Sequence, residues 1–526
     1  TDFEEWIKSL PETITRHIDE HKATSGDLSE LLAESGLLPM VGMPTRIKNL
    51  IHGFKKEANN EYVAQSIDRD INIAIYEFAP GAQKTKDKGV FQAIGFTRPI
   101  EGIEPYNVVK PGIGTFDDTA FTERKWLIQN NTTKSIHSKP YNNISERESL
   151  IEQNPGCKVF VGAIPAAFRT DFEDPEDSQE DFDFNFSKPL TFAETVTDPD
   201  SKVEANYSIK YSQQVLTWKI NDNGGDLFKG KYVNDLRGIA EFEQQWISKH
   251  FLLDKNNYHK KNYIHIGDEE EIALSSSKVT EVFRIEPKQL DFGLDINPFS
   301  ADVFKSASSK GAFYSASFLL QRTLANDLDV DPEEIEIAAI KSYSLPEKDG
   351  ITNRSSASII LTDELPNGSG FVQQLFKKFE KYLNLCINPK PTDSYNYSII
   401  NNQECFDASY ADLKNYRNMN FHPLLDWRLA VGLLRVFSDP NYLSGLKEED
   451  YKYPELKNWL EFSKSLAEKM ANNFESIKYR QFDKLHGFCI ADTYNVIITH
   501  PFWNYSANQP SEEANILTKA MAEAGL

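Results

Sequence analysis

The chain has 526 residues, too many for one compact core, and two to four domains are expected. Hydrophobic residues make up 40% and aromatics 12%, including 34 Phe and 22 Tyr, which excludes disorder for most of the length. A net charge of −22 argues against a surface that is basic throughout, as a general duplex-DNA platform would be, while leaving room for one basic groove or a basic partner.

The longest apolar runs, such as 429–434, are far shorter than the roughly 18 residues that span a bilayer. The first ten residues are acidic and amphipathic, unlike a signal peptide, so a cytoplasmic protein is expected. The sequence opens on Thr1, and the expectation is a processed or truncated piece of something longer. Four cysteines, Cys157, Cys386, Cys405 and Cys489, stand far apart without a C-x-x-C pair, as reduced thiols do.

In chain order, residues 1–57 read as a helical connector, with Phe3, Trp6, Ile7 and Leu10 at helical spacing. Strands are expected from about 58 to 170, among them 71–78, which ends at Ala79-Pro80-Gly81. Residues 171–190 form an acidic loop, with Phe172, Phe182 and Phe184 as candidate anchors for a partner. More strands follow over 191–297, including 213–220 and 278–285. Helix and strand alternate over 298–505. The helices expected there are 311–328, 371–385, 424–437 and 455–477, and the strands are 335–343, 356–362 and 496–499. A polar tail, 506–526, closes an α+β multidomain chain.

The run from Gly225 to Lys231 nearly spells a phosphate-cradling loop. Tyr232 replaces the hydroxyl that would hold magnesium, and no helical pattern follows, so a strand leading into a turn is the better reading. No helicase-motor box, metal-spaced histidine motif or Gly-x-Ser-x-Gly is present, and no cofactor is implied. Asp363-Glu-Leu-Pro-Asn-Gly-Ser-Gly370 joins a strand to a helix. Gly368 and Gly370 either seat an anion at the helix start or serve a tight turn. His422, Asp426 and Arg428 sit on an apolar helix, either as a buried network or as a site facing a nucleic-acid strand.

The run from Cys405 through Ser409, Tyr410, Asp412, Leu413, Tyr416 and Asn418 to His422 and Leu425-Asp-Trp-Arg-Leu429 resembles the zinc-binding domain of MrfA-type helicases. Further blocks agree in order, from Leu37-Leu-Pro39 and Pro44-Thr45, through Arg69-Asp70 and Pro165–Asp171, to Asp363–Gly370 and Ile498–Pro501. The resemblance implies a β-rich 58–170 segment with a degenerate zinc ribbon. It also implies a non-motor subunit or carboxyl-side module of a superfamily-two helicase, in DNA repair or in DISARM- or Druantia-type phage defence. The expected partners are that helicase and, through the complex, DNA. Arg46, Lys48, Arg69 and Arg428 are the candidate strand contacts.

Most of the family's cysteines are gone. Cys157, Cys405, Ser409 and Asp412 are remnant positions that cannot hold tetrahedral zinc well, so no metal is expected, and Tyr410, Leu413 and Tyr416 should pack that corner against the Trp427 helix. The alternatives are a metal-dependent nuclease built on Asp363, His422 and Asp426, or a structural scaffold that recruits a partner through 171–183.

Overall fold

The protein is seen as a computed structural model that describes residues 8, 11–12, 14–15, 46–56, 62–87, 89–97, 102–103, 120–170, 176–177, 190–234, 240–244, 264–346, 353–401, 407–505 and 514–526. It is a multidomain α+β chain. Cys405 and most of 1–45 and 171–189 lie outside the described residues.

The end of the expected helical connector is a strand. β1 (Ile47–Lys56) pairs antiparallel with β2 (Tyr62–Asp70) and, at Leu50 and Ile51, parallel with residues 168 and 169. Ladder hydrogen bonds on both sides of β1 override whatever helical tendency precedes it. The opposite correction applies to 71–78, where α1 (Ile71–Glu77) is a helix. Asp70 accepts the Asn72 amide at 2.8 Å as its N-cap, and Ile71, Ala74, Ile75 and Phe78 are buried. Ile73 is 47% exposed, so the Ile-x-Ile-x-Ile alternation hid a helical burial pattern.

The following strands are β3 (Gly89–Thr97), β4 (Phe121–Asn130), β5 (Ile136–Pro140), β6 (Cys157–Pro165) and β7 (Ala167–Thr170). After them come β8 (Thr191–Ala193), β9 (Tyr207–Asn221), β10 (Phe228–Asn234), β11 (Ala240–Gln244) and the 24-residue β12 (Ile264–Pro287). Pairing runs β2-β1-β7-β3-β11-β10-β12-β6-β4-β5, with parallel steps only at β1-β7 and β12-β6. Lys231 and Tyr232 therefore lie inside a strand, as the failed phosphate-loop match requires.

β12 serves two cores. Its Ile272 and Leu274 pack with Phe96, Trp126 and Phe168, while its Phe283 and Ile285 pack with the C-terminal helices. Along its second half it pairs with β9 on one side. On the other it pairs with β15 (Asn353–Asp363), which also carries β13 (Ile335–Ile337) and β14 (Lys341–Pro346) in succession. The C-terminal core thus draws residues from 207–211 and 283–296 as well as from beyond 298.

The described helices continue with α2 (Arg147–Gln153) and the long, mostly buried α3 (Val303–Leu328). Next come α4 (Phe371–Lys377) and α5 (Phe379–Ile387), one expected helix broken at Lys378. α6 (Ser394–Asn401) and α7 (Trp427–Ser438) follow. α8 (Trp459–Asn473) covers a three-stranded sheet of Ile477–Phe482, Leu485–Ile490 and Tyr494–Ile497. The polar tail ends in α9 (Asn515–Ala524), which buries Leu517, Ala520 and Ala524. Among the described residues no helix is long and apolar enough to cross a membrane.

Where β9, β12 and β13 meet, Lys219 and Lys278 lie between Glu336 and Glu364, with Lys278 Nζ 2.7 Å from Glu336 and 3.1 Å from Glu364. Burial, together with the adjacent Glu336 carboxylate, raises Glu364 to about 7. Burial opposes ionisation of Glu336 too, but Lys219 and Lys278 outweigh it and hold that carboxyl well below the usual range. The folded value of Glu364 exceeds its ordinary 4.5, so its contribution is complete below 4.5 and is lost as pH rises through about 7. Glu364→Gln, which cannot ionise, is expected to gain stability relative to wild type between about pH 5 and pH 8, read from denaturant midpoints across that range.

Candidate nucleic-acid interface

The corner between α6 and α7 is built from short-range hydrogen bonds. Asp412, 3% exposed, accepts the Ser409 amide at 2.6 Å, the Ser409 hydroxyl at 2.6 Å and the Leu413 amide at 2.5 Å. Its carbonyl accepts Arg322 Nη1 at 2.5 Å and Tyr395 Oη at 2.9 Å, which fastens the turn to α3 and α6. Two of the remnant metal positions thus bond to each other. Cys157 is elsewhere, on β6, where Asn130 Nδ2 approaches its sulfur at 3.9 Å. Among the described residues, no three His, Cys, Asp or Glu groups are placed to share a metal ion.

Asn415 and Asn418 cap a 3₁₀ segment (Tyr416–Leu424) reciprocally at 2.8 Å each. His422 Nε2 lies 2.9 Å from Asn415 O and 3.0 Å from Asn418 Oδ1. Both are acceptors, so Nε2 carries the proton. Phe421 then anchors the segment against Tyr314 and Phe318 of α3. A Cβ at Gly311 would sit 2.7 Å from Leu424 O, so a glycine is what allows this close approach.

Asp426 is the N-cap of α7, accepting the amides of Arg428 at 2.7 Å and Leu429 at 3.1 Å. Burial pushes its carboxyl up to about 6, against those two amides and the Arg428 charge. Asp426 therefore binds the backbone of Arg428, not a partner across the helix. Trp427 is buried and Arg428 lies over its ring at 4.6 Å.

The expected packing of this corner is half right. Leu413 and Trp427 are each 2% exposed, but Tyr410 is 63% exposed, Tyr416 78% and Met419 48%. The turn buries its backbone and its Leu, which leaves the tyrosine rings outside. Tyr410 meets His422 edge-on at 5.5 Å. Around the tyrosines stand Lys414, 3.5 Å from Asp407, and Arg417, which pairs with Glu333 while 62% exposed. Sequence reading missed Arg417. Its signal was a cation directly following an aromatic in a polar run.

The other candidate cations lie on a second surface. Lys48 and Arg69 are cross-strand partners in the β1-β2 ladder, and Arg46 precedes β1. Arg46 donates to Ser276 Oγ at 2.8 Å and Ser277 O at 3.0 Å, and Arg69 pairs with Glu77 at 3.2 Å. The fold thus gathers Arg46, Lys48 and Arg69 and leaves Arg428 apart from them.

Asp363, Gly368 and Gly370 form the turn before α4. The Asp363 carboxylate, fully buried, accepts the amides of Ser369 at 2.6 Å, Phe371 at 3.2 Å and Val372 at 3.1 Å. The amides that would seat an external anion are occupied by the chain's own. Gly368 and Gly370, with φ of 81° and 82°, serve the turn.

No family model matches this sequence, and no curated protein matches it. One solved structure, described as the crystal structure of the DUF1998 helicase MrfA bound to DNA, aligns with a TM-score of 0.32 and 12% identity over 74% of this chain. The aligned region spans 34% of that helicase chain, about a third of its length.

Proposed function

We propose that the chain is a non-motor subunit or carboxyl-side module of a superfamily-two DNA helicase, working in anti-phage defence, and that its 407–429 corner contacts a nucleic-acid strand. The ordered sequence blocks support the helicase setting. The observation that carries the strand contact is a pair of tyrosines, 63% and 78% exposed, on a rigid turn with Lys414, Arg417 and Arg428. Each exposed ring offers a base about 1–3 kcal/mol of stacking whatever its sequence, and the cations supply phosphate attraction. With −22 overall, binding must be confined to such a patch and weaken steeply with salt.

Tyr410→Ala with Tyr416→Ala is expected to weaken binding of a fluorescent single-stranded oligonucleotide by tenfold or more, roughly one stacked base, with unchanged thermal melting. Equal affinity in the wild type and the double variant would sink the strand contact. Failure to co-purify with a co-expressed helicase would sink the assembly reading. The nuclease alternative loses ground because Asp363 and Asp426 each bind backbone amides and His422 binds Asn415 and Asn418.

A further inference from the structure

Away from this corner, the 204–207 turn meets the C-terminal ends of α5 and α7 in a surface groove of about 360 Å³. Its floor is fixed by Asn206, 8% exposed, which donates to Ser438 O at 3.1 Å and accepts from Gln289 Nε2 at 2.6 Å. The Glu204 amide donates to Tyr207 O at 2.9 Å and closes the turn. Tyr207 is 7% exposed, with its ring 5.2 Å from Phe379, and its hydroxyl has no hydrogen-bond partner among the described residues. Burial, then the charges of Glu380 and Glu204, push that hydroxyl up to about 12, so it stays neutral.

Glu204 and Glu380 are exposed on the groove walls, and neither has an ion-pair partner among the described residues. The lining contains no Lys or Arg. Two helix C-termini, the negative ends of their dipoles, converge here at Ile387 and Ser438. Arg435 does reach Ile387 O at 3.0 Å, but Glu455 neutralises it from beneath. Asn384 and Asn388 close the rim, Asn388 Nδ2 donating to Asn384 Oδ1 at 3.3 Å and Asn388 Oδ1 accepting from Arg435 Nη1 at 3.4 Å. Carboxylates, helix ends and a phenol favour a cation that can donate several hydrogen bonds. The same charges repel phosphate, which excludes a nucleic-acid strand.

We propose that this groove binds a guanidinium or ammonium side chain carried on a basic segment of a partner protein. The groove opens to solvent, so a side chain can enter it from outside. The site does not rest on the nucleic-acid reading, since it shares none of that corner's residues.

The test uses a fluorescein-labelled Gly-Arg repeat peptide and its citrulline isostere, which keeps the shape and loses the charge. Wild type should bind the arginine peptide about tenfold or more tightly than the citrulline one, as expected for a charge-assisted pair. Glu204→Gln with Glu380→Gln should erase that difference, and Tyr207→Phe, which keeps the ring, should reduce it severalfold. Neutralising Glu148 and Glu152, exposed on α2, should leave it unchanged. Equal binding of the two peptides, an equal loss on neutralising Glu148 and Glu152, or spermidine binding as tightly as the peptide would each overturn the proposal. Oligonucleotide binding should persist in the Glu204/Glu380 variant, which separates this result from failure of the strand contact.

Discussion

Glu455→Ala should cost about 3–5 kcal/mol of unfolding free energy, the range for removing one partner of a buried ion pair. Glu455 is 1% exposed and Arg435 4%. They meet through two bonds, Arg435 Nε to Oε1 at 2.5 Å and Nη2 to Oε2 at 3.2 Å, with the guanidinium 4.2 Å from the Tyr453 ring. Without the carboxylate, a permanent cation remains in the core with Ile387 O, Asn388 Oδ1 and the Tyr442 and Tyr453 rings beside it, none of which carries a full negative charge. Replacing both partners by Met should recover most of the loss, because no charge is then left buried. A shift in the denaturant midpoint of the C-terminal transition checks both. The exposed Lys478–Asp492 pair, 65% and 71% open, is the contrast, and Asp492→Ala should hardly move that midpoint.

Twenty residues separate Arg435 from Glu455, and nothing in their local pattern joins them. Long-range charge pairing of this kind is invisible to periodicity. The residues readable from pattern were those whose burial follows one element's own spacing. Phe313, Phe318, Leu319 and Leu324 form the buried stripe of α3, and Val372, Leu375, Phe379 and Leu383 that of α4 and α5. α9 was missed, because Leu517, Ala520 and Ala524 recur at helical intervals within a segment read as a polar tail. Errors arose where two periods competed. At 71–78 the alternation of isoleucines suggested a strand, and only the Asp70 cap reveals the helix.

The candidate site divides the same way. That His422, Asp426 and Arg428 lie close together along the chain was readable from the sequence. Which atoms they bind was not, because Asp426 answers backbone amides and His422 a capping asparagine. The tyrosines were assigned to packing because the loss of the metal ligands left that corner in need of another support. The Ser409–Asp412 bond tightens the turn, and Ala408 and Leu413 reach the core while the tyrosine rings do not.

Asp363→Ala is the second large effect, about 3 kcal/mol or more, since three amides lose a fully buried acceptor at once. The cost exceeds that of an ordinary N-cap, roughly 1 kcal/mol, because Asp363 is wholly buried and water cannot replace it. Burial raises its carboxyl pKa, and the amides of Ser369, Val372 and Phe371 pull it back. Asp363→Asn retains one acceptor oxygen but turns an NH₂ toward N–H donors, so it should recover little. The two variants separate structure from catalysis. A catalytic Asp363 would let the Asn variant fold and melt like wild type while losing metal-dependent DNA cleavage. A structural one destabilises both variants, with α4 loosening first in hydrogen exchange at Ser369, Phe371 and Val372, and that is the expected result.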